Sequence, residues 1–134
     1  MTYHLKKSPV TFFLLILTVL VFLGMQVTFG PFASSPQAVY QFGGMLGVVV
    51  KEMPSQLWRL VTPIFVHIGW NHFLVNSMTL FFVGQLAEKI WGSKQFLLLY
   101  VLSGIMGNLF VMLFTPDAVS AGASTSLFGL FAAI

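Results

Sequence analysis

His72 and Asn76 stand four residues apart, so on a helix they share one face, one turn apart. An imidazole and a carboxamide in an apolar run are costly in lipid and mark a joint hydrogen-bonding task. Ser124 follows Gly122 and Ala123, small residues that let a backbone bend sharply and let other groups approach. A serine just inside a helix start offers its own N–H and its neighbours' as oxyanion donors, helped by the positive end of the helix dipole. That is the environment of a serine nucleophile. Read from residues alone, Ser124 pairs with His72 as its general base.

Each of these signals has a bland counterpart. His72 and Asn76 could satisfy polar partners on a neighbouring helix. Gly-x-Ser arises by chance, and Ser is a common helix cap. Small residues four apart, as in Ser103/Gly107, Gly122/Ser126 and Gly129/Ala133, serve close helix packing. His67 lies five residues before His72; on one helix it points elsewhere and reads as an interfacial or packing histidine. That spacing, with no carboxylate between the two, also argues against a metal site. Nothing in the sequence calls for a cofactor.

The elements that must position these groups belong to a membrane protein. Of 134 residues, 57% are hydrophobic and only 7% charged, where a soluble domain has roughly 25% charged. Fifteen Phe and three Trp suit lipid contact and interfacial anchoring. A net charge of +3 is too small and dispersed for a nucleic-acid surface. The absence of Cys excludes disulfides, thiolate zinc and a cysteine nucleophile.

The sequence predicts four apolar helices, at about 10–29, 64–87, 95–114 and 122–134, with a long loop over 30–63. The first is read as an uncleaved span, with a signal peptide as the competitor; the apolar run is long and no small-x-small cleavage site follows it. The loop carries Pro31, Pro36, Pro54 and the Gly43-Gly44 pair, yet remains apolar. It is expected to fold into short helices lying in the outer interface. Pro63 suits a helix start. Glu88, Lys89 and Gly92-Ser93-Lys94 end that helix, and Thr115-Pro116-Asp117 ends the next. From Ser124 only 11 residues remain, roughly 16 Å of helix and half a membrane. The sequence is therefore expected to be a fragment of a longer polypeptide. Lys6, Lys7, Lys89 and Lys94 on one side against Lys51 and Arg59 on the other place the N-terminus in the cytoplasm. The polar cluster then lies toward the outer face.

Taken together, these features resemble the rhomboid family of intramembrane serine proteases, from about Trp58 to Ile134. Trp58-Arg59 is similar to the family's Trp-Arg motif in the first loop. His72-Phe-Leu-Val-Asn76 matches its His-x-x-x-Asn, Glu88 with Gly92-Ser93 its following turn, and Gly122-Ala-Ser124 its Gly-x-Ser segment. The resemblance implies an all-α, polytopic, rhomboid-like bundle, here with about four transmembrane helices, the fourth incomplete. It implies that Ser124 is the nucleophile and that His72, Asn76 and Ser124 form the oxyanion hole. Trp58, Arg59, Glu88 and Gly122 are then structural. Arg59 is expected to bond loop carbonyls or lipid phosphates, and Glu88 to pair with Lys89 or cap a neighbouring turn. The general-base His comes from the sixth helix in that family, so its counterpart is absent from these residues and this chain alone is expected to be inactive. One departure stands out: the family usually has Gly after the nucleophile, and here it is Thr125.

The function so implied is cleavage of transmembrane protein substrates within the bilayer of a bacterial plasma membrane. Two other readings compete. A proteolytically silent relative would bind transmembrane clients, and a transporter or channel fragment would line a pore with His72 and Asn76.

Overall fold

The computed structural model describes residues 8–134. The basic Lys6 and Lys7, two of the four charges expected on the cytoplasmic side, lie outside the described residues. Helix α1, Pro9–Phe29, starts on Pro9 at its first turn, where a missing N–H costs nothing. It is followed by a 3-10 turn, Gly30–Phe32, and by α2, Pro36–Gln41, capped by the Ser35 side chain on Ala38 N–H at 3.2 Å. The two-residue strand β1, Met45–Leu46, leads into α3, Gly47–Glu52, and two further 3-10 turns, Pro54–Leu60 and Thr62–Phe65. The loop over 30–63 is thus folded into short helices. Helix α4, Trp70–Thr79, passes through a π turn, Leu80–Gly84, into α5, Gln85–Phe114. Strand β2, Val119–Ser120, precedes α6, Ser124–Ala133.

Two boundaries differ from the sequence expectation. The second long helix begins at Trp70, not near residue 64. Pro63 sits in a 3-10 turn, Val66 is extended, and Gly69 takes φ +84°, a left-handed conformation that ends one segment and opens the next. The last helix begins at Ser124 rather than 122, because Gly122 holds φ +125°. The chain is also not purely helical: β1 pairs antiparallel with β2, Met45 opposite Ser120 and Leu46 opposite Val119. That pairing ties the first loop to the segment just before α6.

Gly92, at φ 83° and ψ 164°, breaks α5 into two arms, 85–91 and 93–114. Phe22 of α1 stacks on Phe73 at 4.1 Å between ring centres, while Thr11 meets Glu88, so α1 and residues 70–91 run antiparallel. The start of α6 lies beside the start of α4, with Ser124 next to Asn76. Gly107 faces Thr125 and Gly129 faces Ser103, so residues 93–114 run antiparallel to α6. The chain therefore reverses at Gly92. Two stretches, Pro9–Phe32 and Trp70–Phe114, are long and apolar enough to cross a membrane; the second, at 45 residues, holds both arms of this reversal.

The core between the helices is apolar: Leu14, Ile64, Leu80, Phe96, Tyr100, Leu127 and Leu130 are all buried in one cluster. Much of the outer face is apolar too, with Phe13, Leu20, Phe82, Phe110 and Phe128 more than half exposed. Such a surface fits lipid rather than water.

Candidate active site

Ser124 is the first residue of α6. The first-turn N–H groups of a helix have no intrahelical acceptor and carry the positive end of its dipole. The hydroxyl of Ser124 points toward α4. Its Oγ lies 3.2 Å from His72 Nε2 and accepts a hydrogen bond from Asn76 Nδ2 at 3.1 Å. The Asn76 carbonyl oxygen is 3.4 Å from the same hydroxyl. One turn of α4 thus presents both the imidazole and the carboxamide to one oxygen, as their spacing predicts. Asn76 is buried, while His72 and Ser124 are partly open. A cleft of about 230 Å³ lies beside Ser124, lined by Asn76, Thr79, Leu127, Phe128 and Phe131.

Gly122 makes this convergence possible. A methyl group on it would stand 2.5 Å from His72 Cε1 and 2.9 Å from Nε2. Its N–H donates to Pro63 O at 2.7 Å, fixing the bend that delivers Ser124.

His67 is the residue whose role sequence reasoning missed. It is not on the helix of His72: it sits in the segment before Gly69 and is fully buried, as a packing histidine would be. Its Nε2 accepts the Ala123 N–H at 3.2 Å, one residue before Ser124. That bond requires a lone pair on Nε2, so the ring is neutral with its proton on Nδ1. Burial, and secondarily His72 at 5.1 Å between ring centres, pushes the His67 pKa down to about 4. The available signal was Gly69 next to Trp70-Asn71-His72, a helix start that takes His67 off the helix.

The residues expected to be structural are found in tight networks. Arg59 is buried; its guanidinium donates to Tyr40 O at 2.6 Å, Gly44 O at 2.9 Å and Gln56 Oε1 at 2.9 Å. It lies between the Tyr40 and Trp58 rings, 3.8 and 4.3 Å from their centres. This agrees with the expected bonding to loop carbonyls. Glu88 does not pair with Lys89. It is buried, and its carboxylate accepts from Val10 N–H, Thr11 N–H, Thr11 Oγ1 and Ser93 Oγ, at 3.0, 2.8, 2.8 and 2.5 Å. Glu88 therefore caps α1 from 77 residues away, where Ser8 offers no side-chain cap of its own.

Thr125 does not enter the cleft. Its side chain points the other way, onto Gly107. Across the same seam Ser126 Oγ donates to Tyr100 O at 2.6 Å.

The residues of the site fall within a region that this chain shares with known proteins. The family model described as the Rhomboid domain matches residues 54–134. The chain is 33% identical over 128 residues to Rhomboid protease GluP of Bacillus subtilis (strain 168), covering 96% of this chain and 24% of that protein. It is 44% identical over 90 residues to Putative rhomboid protease YdcA of the same organism, covering 66% of this chain and 43% of that one. It is 45% identical over 75 residues to Rhomboid-like protease 3 of Toxoplasma gondii, covering 56% and 28%. The chain thus spans less than half the length of these relatives. The matched region holds every residue of the Ser124 cluster, and on these grounds the chain belongs to the rhomboid family.

Proposed function

We propose that the polypeptide containing these residues is an intramembrane serine endopeptidase that cleaves transmembrane segments of other membrane proteins. The observation that carries the reading is the meeting of His72 Nε2 and Asn76 Nδ2 at the Ser124 hydroxyl, 3.2 and 3.1 Å away, at a helix N-terminus. Ser124 Oγ attacks the carbonyl carbon of the scissile peptide, and its proton passes to a histidine base. The carbonyl oxygen becomes an oxyanion and takes hydrogen bonds from Ser124 N–H, His72 and Asn76. The intermediate collapses, the leaving amine takes the proton from the base, and water releases the acyl group from Ser124.

The base in this reading is a histidine supplied from outside these 134 residues. His67 is committed to Ala123 N–H, and His72 is assigned to the oxyanion. In this reading α1, residues 70–91, residues 93–114 and α6 each cross the membrane. The N-terminus is cytoplasmic, and Ser124 opens toward the outer face of a bacterial plasma membrane. The partial exposure of Ser124 and the adjoining cleft support access for water and substrate.

In the full-length protein, Ser124→Ala is expected to abolish cleavage of a transmembrane substrate while leaving the helical fold intact. Unchanged cleavage by that variant would overturn the proposal.

A further inference from the structure

Thr125 sits directly after the candidate nucleophile and carries a β-branched side chain at the start of α6. Its Cβ and Oγ1 lie over Gly107 of the 93–114 arm. A methyl group on Gly107 would stand 2.6 Å from Thr125 Cβ and 2.5 Å from Oγ1. Carbon atoms in contact need about 3.5–4.0 Å. Rotation about χ1 does not relieve this clash, because Cβ itself is involved. Gly107 is therefore the seat that Thr125 requires.

The neighbours of Thr125 leave α6 little freedom to yield. Ser126 Oγ is bonded to Tyr100 O at 2.6 Å and would lie 2.6 Å from a methyl on Gly104. Ala123 N–H is held by His67 and Gly122 N–H by Pro63 O. Ser103 fills the space in front of Gly129. Ser124 thus stands between anchored residues on both sides. A push on Thr125 must rotate or lift the first turn of α6, and this moves Ser124 Oγ away from Asn76 and His72.

We infer that Gly107 is a positioning residue for Ser124, acting through Thr125: the pair sets the rotation of α6 and with it the direction of the nucleophile. The inference rests on the protease reading above. It also accounts for the departure at Thr125, since the bulk that follows the nucleophile is accommodated by a missing side chain on the facing helix.

The test is a volume swap in the full-length protein, read by the labelling rate of Ser124 with a fluorophosphonate and by the melting temperature in detergent. Gly107→Ala is expected to slow labelling by about 100-fold, the cost of roughly 1 Å of misplacement in a reacting group. Adding Thr125→Gly to Gly107→Ala empties the space the methyl needs and is expected to restore labelling to near the wild-type rate. Thr125→Gly alone puts a glycine in the first turn of α6 and is expected to lower the melting temperature with little change in labelling. If Gly107→Ala lowers only the melting temperature, or if the double variant labels no faster than Gly107→Ala, the inference is overturned while the protease reading stands. A wild-type protein that Ser124-directed reagent fails to label overturns both.

Discussion

The two ends of the 70–91 helix solve the same problem in opposite ways. At one end Glu88 reaches across to α1; at the other His72 and Asn76 reach across to α6. Glu88 is buried and its carboxylate is saturated, with four donors closer than about 3 Å. Its task is complete in the folded state. At the Ser124 end a single hydroxyl is shared between two side chains at 3.1 and 3.2 Å, and the site opens on a cleft of about 230 Å³. An imidazole nitrogen and an amide N–H that meet at one small oxygen retain capacity for a second oxygen brought in by a substrate. A saturated polar network rigidifies a fold, and an unsaturated one that faces a cleft is placed to do chemistry.

The contrast is broken most directly by removing the side chains that reach across. Asn76→Ala and His72→Ala should each lower the cleavage rate by about 100- to 1,000-fold, or roughly 2.7–4 kcal/mol per oxyanion donor, with a small change in melting temperature. Steady-state cleavage of a transmembrane substrate checks this. Complete loss in His72→Ala, equal to that in Ser124→Ala, would instead assign His72 as the base. Glu88→Ala should do the reverse. It strands Val10 and Thr11 N–H groups at the start of α1 and should cost about 3 kcal/mol, a typical penalty for breaking a buried charged network. Thermal unfolding in detergent measures it, and the folded fraction should keep its rate of labelling by a serine-directed probe.

Acid sharpens the comparison. His67 is held neutral in the fold, with a pKa of about 4 against an ordinary 6.5. The unfolded chain takes up a proton at that side chain as pH falls below about 6.5, and the folded chain does not until about 4. Stability from this residue is therefore full above about pH 6.5 and is lost as pH falls toward 4, by at most about 3 kcal/mol. The difference in melting temperature between wild type and His67→Gln should change across that window. A pH-independent difference would contradict the buried, neutral His67.

What the sequence made legible was local. The placing of His72 and Asn76 on one helix face follows from helix periodicity, and the bend before Ser124 from the small residues there. What it hid was non-local. Glu88 reads as a partner for Lys89 or a cap for a neighbouring turn, but no pattern within a few residues says that the turn it caps lies 77 positions away. His67 was misplaced because Pro63 read as a helix start and Gly69 was passed over. The β1–β2 pair is only two residues long on each side, too short to carry an alternation. Thr125 stands out in the sequence as a departure from the family's Gly, but the residue it faces, Gly107, lies on another helix.

The most direct test of the central claim is covalent labelling of Ser124 in the full-length membrane protein by a fluorophosphonate, with the modified residue located by mass spectrometry. The account predicts one labelled residue, Ser124, and no labelling in Ser124→Ala. Absence of labelling in a folded wild-type protein, or the same labelling in Ser124→Ala, would contradict it.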